Sequence, residues 1–528
     1  MLLINPPVVR PCEPPAGIAR LLGVLGKHNV RCRVLDANLE GLMHLLKCPV
    51  EADDTWSRRA SKHLDSNLSA LRHPNLYNNS DRYSRAVNDI NHVLNLTARA
   101  HGVAVGLANY QDFRLSPLRS SDLIMTSEQP ETSPFYGYFM ERLSAVFEDE
   151  EPSVVGISLN YLSQAIPTFS MIGLIRKLCP DARLVLGGGL VTSWLSNPGW
   201  RNPFDGLVDN MVAGPGEDAL LDILGLPTSV GHASPDYSPF REKPYLSPGF
   251  VLPYSASNGC YWNRCTFCPE KAEGSLYSPL PVDKSISDIE RLIESTGPPL
   301  IHFLDNAMSP ALLAAIVDNP PGIPWYGFAR ITRRLTDPDF CRGLKRSGCV
   351  MLKIGLESGS QPVLDALDKG INLAEASMVL KNLRDAGIGT YIYLLFGTPS
   401  ETYSEAKATL DYVIEHQEYI GYLNLAIFNM PAYGPDAAGL DTENFYSGDL
   451  TLYRQFRHPG GWERKHVRQF LDREFRRNPA IQAILRKDPP VFTSNHAPFF
   501  VMYTGGIAGK ICWRCTHGKN SLDWRRGG

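Results

Sequence analysis

Ser257-Asn258-Gly259-Cys260-Tyr261-Trp262-Asn263-Arg264-Cys265-Thr266-Phe267-Cys268 sets three thiols within nine residues, and the reading of the chain turns on it. An extended residue spans at most about 3.6 Å, so a loop this short can fold all three sulfurs onto one metal centre, helped by the backbone freedom of Gly259. Three soft ligands without an evident fourth leave an open coordination position. The competing reading is structural zinc, which draws four Cys or His ligands in two pairs. No second pair lies nearby, and Cys512 and Cys515 supply one only if the tail folds back.

Outward from the loop, strand-like apolar runs recur at Phe250 to Ser255, Leu300 to Leu304, Trp325 to Ala329, Met351 to Gly355, Thr390 to Phe396 and Leu423 to Phe428, with helical patterns between them. Six β/α units in series predict a full or partial parallel barrel over residues 250–440, with working residues at the strand C-termini. The cysteines directly follow the first of these runs.

Towards the N-terminus, a strand at Leu2 to Asn5 stops at Pro6-Pro7 and is followed by a helix from Ala16 to His28 and a strand at Arg33 to Asp36. This is a βαβ opening. A polar insertion from about 48 to 150, with helical stretches near Ser84 to Ala100 and Phe135 to Phe147, has no functional reading. Alternation resumes at Val154, continues through a helix from Ile166 to Leu178, and reaches Arg183-Leu-Val-Leu-Gly-Gly-Gly189 and a short strand within Gly206 to Val212. Residues 1–226 are thus expected to form a doubly wound, Rossmann-like α/β sheet with ligands beyond its strand C-termini. Ser158, Asn160, Gly187, Gly188, Gly189 and Gly214 lie there. Residues 227–249 read as a proline-rich extended linker. Residues 441–528 read as a small α+β extension containing an Arg-rich helical stretch (Arg454 to Arg477) and a strand-like run, Phe499 to Tyr503. Its arginines suit an acidic or phosphate-bearing substrate, while interspersed acids such as Glu463, Asp472 and Glu474 favour a solvated helix.

The 528 residues predict two to four domains. With 43% hydrophobic and 20% charged residues the chain can bury a large core, and a net charge of −3 gives no electrostatic case for nucleic-acid binding. The opening residues lack a basic-then-apolar leader pattern, and no apolar run approaches about 20 residues. A cytoplasmic protein off the membrane is expected. Eleven cysteines, an odd count, favour reduced thiols and metal ligation over disulfides.

The segment from Phe250 to Met430 resembles the radical SAM superfamily. The resemblance implies that Cys260, Cys265 and Cys268 hold a 4Fe-4S cluster whose remaining iron takes the amine and carboxylate of S-adenosylmethionine (SAM). The family's commonest spacing has three residues between the first two cysteines. Here Tyr261, Trp262, Asn263 and Arg264 make four, a loop extension. Phe267 stands where the family uses an aromatic beside adenine, and Asp305 where polar groups meet the methionine amine, although Asp-Asn is also an ordinary turn pair. Arg330 suits a carboxylate or a surface ion pair. Glu357, in Lys353-Ile-Gly-Leu-Glu357-Ser-Gly, matches the residue that meets the ribose hydroxyls, and its burial without a partner would be costly. Gly397-Thr-Pro399-Ser-Glu401-Thr resembles the turn that approaches adenine, though Glu401 also reads as the start of the next helix. Tyr391 and Tyr393 share one strand face, and His302 and His496 read as hydrogen-bonded structural residues.

A doubly wound domain followed by such a barrel is similar to the cobalamin-dependent branch, in which the corrin lies between the two domains. The resemblance assigns Ser158, Asn160, Gly187, Gly188 and Gly189 to cobalamin. Asn5-Pro-Pro replaces the Asp-x-His-x-x-Gly motif, so no axial histidine is expected. A scaffold that binds nothing is the alternative for this domain. The activity implied is reductive cleavage of SAM to a 5′-deoxyadenosyl radical, used for C-methylation of an unactivated carbon in a small-molecule or peptide substrate. An external electron donor such as flavodoxin or ferredoxin is implied with it. The rival readings are radical cyclisation or rearrangement without methyl transfer, and a zinc-stabilised binding protein that does no chemistry.

Overall fold

The computed structural model describes residues 1–51, 53–228, 232–434 and 439–504. Leu2–Asn5 is buried along its whole length, as expected of a strand covered on both faces. It pairs in parallel with Arg33–Asp36 on one side and Val154–Ser158 on the other. Arg183–Gly187 and Asn210–Val212 complete a five-stranded sheet. The direction of winding reverses between Leu2–Asn5 and Val154–Ser158, and a doubly wound sheet opens its ligand crevice at such a point. The segment after Asn5 and the turn at Asn160 and Tyr161 both emerge there.

The insertion adds core to this domain. Its helix Ser80–Arg99 buries Tyr83, Ala86, Val87, Ile90, Val93 and Leu94, all in one hydrophobic core with Leu2 and Ile4. It also contains an antiparallel pair, Val103–Val105 with Tyr110–Asp112.

The second sheet has six parallel strands, in the order Tyr422–Ile427, Gly389–Phe396, Cys349–Glu357, Trp325–Ala329, Leu300–Phe303 and Val251–Tyr254. Neighbours in space are neighbours in sequence, and the outer two strands do not pair, which makes a partial barrel. Along Trp325–Ala329, Cys349–Glu357 and Gly389–Phe396 partial exposure falls only on alternate positions, with the strand period of two. Leu352, Ile354, Leu356, Ile392 and Leu394 are buried in a core shared with the surrounding helices, whereas Phe328, Gly355, Tyr393 and Leu395 are only partly buried. On these strands the partial exposure lies on one face, mostly towards the strand C-termini, and the space which that face borders is the chamber; the edge strand Tyr422–Ile427 is partly exposed on both faces.

The proline-rich stretch is packed where it is described, not extended. Tyr237, Phe240, Tyr245 and Leu246 are buried, Tyr245 donates to Asp36 at 2.6 Å, and Ser247 to the Cys12 carbonyl at 2.5 Å. The strand expected at Phe499 to Tyr503 is helical, within Thr493–Thr504. A five-residue apolar run does not distinguish a strand from a buried helix. Phe499 and Phe500 enter the core, and a side chain at Gly389 would meet Val501, so this helix closes the N-terminal end of the barrel. Cys512 and Cys515 lie outside the described residues. Among the described residues no helix is long and apolar enough to cross a membrane.

Candidate functional site

The cysteine loop is braced from three sides. At its start, Asp305 accepts hydrogen bonds from the Ala256 amide at 3.1 Å and the Ser257 hydroxyl at 2.5 Å. Both carboxylate oxygens therefore hold the loop. Gly259 has φ +68°, and a Cβ there would stand 2.7 Å from the Leu276 carbonyl, so only glycine fits. The four-residue spacer turns through Asn263 at φ +45°, a conformation asparagine tolerates. Trp262 donates to the Asp368 carbonyl at 2.8 Å, and Arg264 pairs with the Asp368 carboxylate at 2.9 Å. Arg330 lies over the Trp262 ring at 4.4 Å, donates to the Lys369 carbonyl, and points Nη1 at the Cys265 sulfur at 3.7 Å.

The donor set fits an iron–sulfur cluster. All three cysteines are free thiols, with Cys265 buried and Cys260 and Cys268 partly so. Burial pushes the Cys268 thiol up, and the Lys271 and Glu270 amides at the start of the next helix work against it. Amide and guanidinium donors directed at sulfur stabilise thiolate ligands. Among the described residues no three His, Cys, Asp or Glu side chains already gather around one metal-sized point. The sulfurs share a loop, and among the described residues no group of three or more such ligands forms around them.

Glu357 overturns one expectation. It is not unpaired, because Lys369 meets its Oε1 at 2.7 Å, with both side chains nearly buried. Its backbone is strained, at φ +69° on a strand irregularity between Gly355 and Glu357. Lys369 also lies over the Phe267 ring at 5.3 Å. Lys369 and Trp262 thus bring Cys265, Phe267, Arg330 and Glu357 together, with Asp305 supporting the loop. No local sequence pattern marks either residue, since each acts through a contact distant in sequence.

On the neighbouring strand, Gly397 (φ +77°) and Pro399 form the expected turn. Glu401 does not start the next helix. Thr402 caps it, in a reciprocal pair with Glu405, while Glu401 turns back to accept from the Gly397 amide and the Trp462 indole. Burial raises its carboxyl from 4.5 to about 7, against those two donors. Between these values the native state holds a proton that the unfolded chain has lost, so stability falls as pH rises through the window. Glu401→Gln is expected to stabilise the protein by about 2 kcal/mol at pH about 8 and hardly at all at pH about 5. Urea midpoints at the two pH values check this, and equal effects at both contradict it.

The N-terminal sheet presents a glycine shelf. Asn160 donates to the Ser158 hydroxyl at 3.0 Å and accepts from the Gly189 amide at 3.0 Å. A Cβ at Gly187 or Gly189 meets nothing closer than 3.6 Å, and one at Gly214 meets nothing at all. These are positions a side chain would fill and glycine leaves open for a bulky ligand. Gly188 is structural, with φ +110° and the Leu159 carbonyl 2.5 Å from its would-be Cβ. Gly188→Ala is expected to cost about 3 kcal/mol, measurable by denaturant unfolding. Tyr161 is 61% exposed, yet surrounding protein still raises its phenol, with Arg10, Glu13 and Cys12 facing it. The shelf reaches the barrel directly, because Ser193, in the helix after the glycines, hydrogen-bonds Glu273 just beyond the cysteine loop.

Residues 254–413 match the Radical SAM superfamily model. Bacteriochlorophyllide d C-12(1)-methyltransferase of Chlorobaculum tepidum is 25% identical over 193 residues, covering 35% of this chain and 42% of that protein. An uncharacterized methyltransferase of Pyrococcus horikoshii is 25% identical over 163 residues (30% and 35%), and the anaerobic magnesium-protoporphyrin IX monomethyl ester cyclase of Cereibacter sphaeroides 23% over 214 (37% and 33%). The matches span less than half the length of these relatives. Among solved structures, the radical SAM methyltransferase TsrM of Kitasatospora setae, with cobalamin and a [4Fe-4S] cluster bound, aligns with TM-score 0.51 and 17% identity over 89% of this chain and 84% of that one. The cobalamin-dependent radical SAM enzyme OxsB, with aqua-cobalamin and SAM bound, aligns with TM-score 0.54 and 14% identity over 89% and 66%.

Proposed function

From a chain whose residues 254–413 form a radical SAM domain and whose fold is that of cobalamin-dependent radical SAM enzymes, we propose an enzyme that C-methylates an unactivated carbon of a small-molecule or peptide substrate. The observation that carries this reading is the Ser193–Glu273 hydrogen bond, which seats the glycine shelf of one domain beside the cysteine loop of the other. When bound, the cluster supplies the electron that cleaves SAM into a hydrogen-abstracting radical, and the corrin supplies a methyl group.

The chain's own residues do the rest. Cys260, Cys265 and Cys268 would hold the cluster, with Arg330 and the Cys268-side amides stabilising their sulfurs. Asp305 fixes the loop, and Phe267, Glu357, Gly397 and Pro399 would line the SAM site. Ser158, Asn160, Gly187 and Gly189 would seat the corrin, Gly188 shaping the turn between them. Phe328, Tyr393 and Leu395 would offer a substrate a largely apolar, partly exposed surface, and a bound substrate covering it would keep water from the radical.

Anaerobic reconstitution with iron, sulfide and hydroxocobalamin tests the reading. The expected results are cluster absorbance, corrin retained through desalting, 5′-deoxyadenosine from SAM under strong reductant, and label passing from methyl-labelled SAM into an acceptor in host extract. Zinc without iron, or no 5′-deoxyadenosine, contradicts the reading. The cyclase among the relatives favours a second reading, ring closure on the same cofactors. It predicts 5′-deoxyadenosine and a turned-over substrate without label transfer.

A further inference from the structure

A buried chain of three ionisable groups crosses from the N-terminal domain into the barrel. His302, on the second barrel strand, faces Glu13 through Nδ1, at 2.9 and 3.1 Å from the two carboxylate oxygens. Its Nε2 stands 2.9 Å from Lys353 Nζ, on the fourth strand. A carboxylate only accepts, so Nδ1 carries the proton and Nε2 accepts from lysine. Glu13 follows the first strand of the N-terminal sheet and lies in the segment that emerges at its ligand crevice.

Lys353 belongs to the chamber-facing side of its strand. It shares that face with Gly355, lies 4.3 Å from the Phe328 ring, and Phe328 in turn packs on Tyr393 at 5.0 Å. Phe328, Gly355 and Tyr393 are partly exposed, and Lys353, 4% exposed, sits below them as the floor. Tyr326 stacks on His302 at 4.3 Å, and its buried hydroxyl has no partner among the described residues. An unsatisfied buried phenol calls for a water or ligand polar group at this depth.

We propose that Lys353, positioned by His302 and Glu13, is a catalytic base at the floor of the chamber, exchanging a proton with a substrate that bears a hydroxyl or amine beside the reacting carbon. The proposal rests on the chamber holding the substrate of the proposed reaction. The Lys353 nitrogen takes the proton of the substrate X–H group, forming N–H as the X–H bond breaks and leaves its electron pair on X. The ammonium returns that proton before release, and no electron is gained or lost. A deprotonated heteroatom weakens the adjacent C–H bond towards hydrogen-atom removal, so the base belongs in a chamber where a radical is made. His302 and Glu13 are positioning residues.

The electrostatics support a base. Burial brings Lys353 down to about 7, with Glu13 pulling it up and Arg10 pushing it down. Burial also keeps His302 low, against Glu13 and with Lys353. Tyr326 and Tyr393, the phenols on the flanking strands, are both raised by burial and stay neutral.

Competitive trace acetylation of the reconstituted full-length protein with labelled acetic anhydride, read by peptide mass spectrometry from pH about 5 to about 10, tests this. Lys353 is expected to label with a midpoint near pH 7 and, at that pH, at least about tenfold faster than surface lysines near about 10.4. Glu13→Gln is expected to lower the midpoint by about half a pH unit, since it removes the charge that favours the ammonium. His302→Gln provides a second variant with the positioning imidazole removed, and a lower midpoint or slower labelling is expected. A midpoint near that of surface lysines, or no labelling of Lys353 at any pH, overturns the proposal. So does an acid limb of methyl transfer that stays in place in Glu13→Gln. Formation of 5′-deoxyadenosine by the wild-type protein reports on the radical SAM reading alone, which separates the two failures.

Discussion

Cys265→Ala is expected to abolish SAM cleavage, lowering 5′-deoxyadenosine formation by at least about a thousandfold, and to leave the protein without cluster absorbance. Cys265 is the most buried of the three cysteines and the one contacted by Arg330. Two thiols cannot hold three irons, and the other described cysteines, at positions 12, 32, 48, 179, 341 and 349, lie on other elements. The fold should survive. The loop is held by Asp305, by Trp262 on the Asp368 carbonyl and by Arg264 on the Asp368 carboxylate, none of which uses the Cys265 sulfur. Near-native far-ultraviolet circular dichroism and corrin retention should therefore accompany the loss. Arg330→Met provides a graded comparison, since it removes a hydrogen bond to sulfur and leaves all three ligands. Cleavage at wild-type rates by Cys265→Ala would end the assignment of this loop as the cluster site.

The barrel was readable because its strands are short apolar runs bounded by glycine, proline and helical patterns, and because the cysteines emerge from the first of them. The strand predicted at Trp325 to Ala329 has those bounds in the structure, and the others shift by one or two residues at most ends. Phe499 to Tyr503 failed for a physical reason: a helix buried on most of its faces is as uniformly apolar as a strand. Candidate site residues could be named from sequence only where they sit in a local motif, as at Cys260, Glu357 and Gly397. Contacts that cross the fold left no such trace. Lys369 reaches Glu357 across a turn, Trp262 reaches the Asp368 carbonyl, and Glu13 meets His302 from another domain. His302, read as an isolated structural histidine, gains its meaning only when the fold brings Glu13 and Lys353 to its two nitrogens.

Lys369→Met is the second large effect. It would leave Glu357 nearly buried, on strained backbone, with its only ion-pair partner among the described residues removed. Breaking a buried pair from one side costs about 3–5 kcal/mol, most of it from the charge left behind. Residual solvent at this rim position lowers the expectation to about 2–4 kcal/mol. The pair itself need not stabilise the fold to that extent, because replacing both members removes the uncompensated charge. The double variant Lys369→Met/Glu357→Gln should therefore recover at least half of the loss in urea unfolding, a coupling that independent sites would not show. The same variants separate folding from ligand contact. Glu357→Gln alone keeps the shape and leaves the nearly buried Lys369 ammonium an amide oxygen to donate to, so it should destabilise less than Lys369→Met while weakening SAM binding about tenfold. If Lys369→Met destabilises no more than Glu357→Gln, Glu357 is already solvated when Lys369 is absent, and the ion pair does not hold it in position.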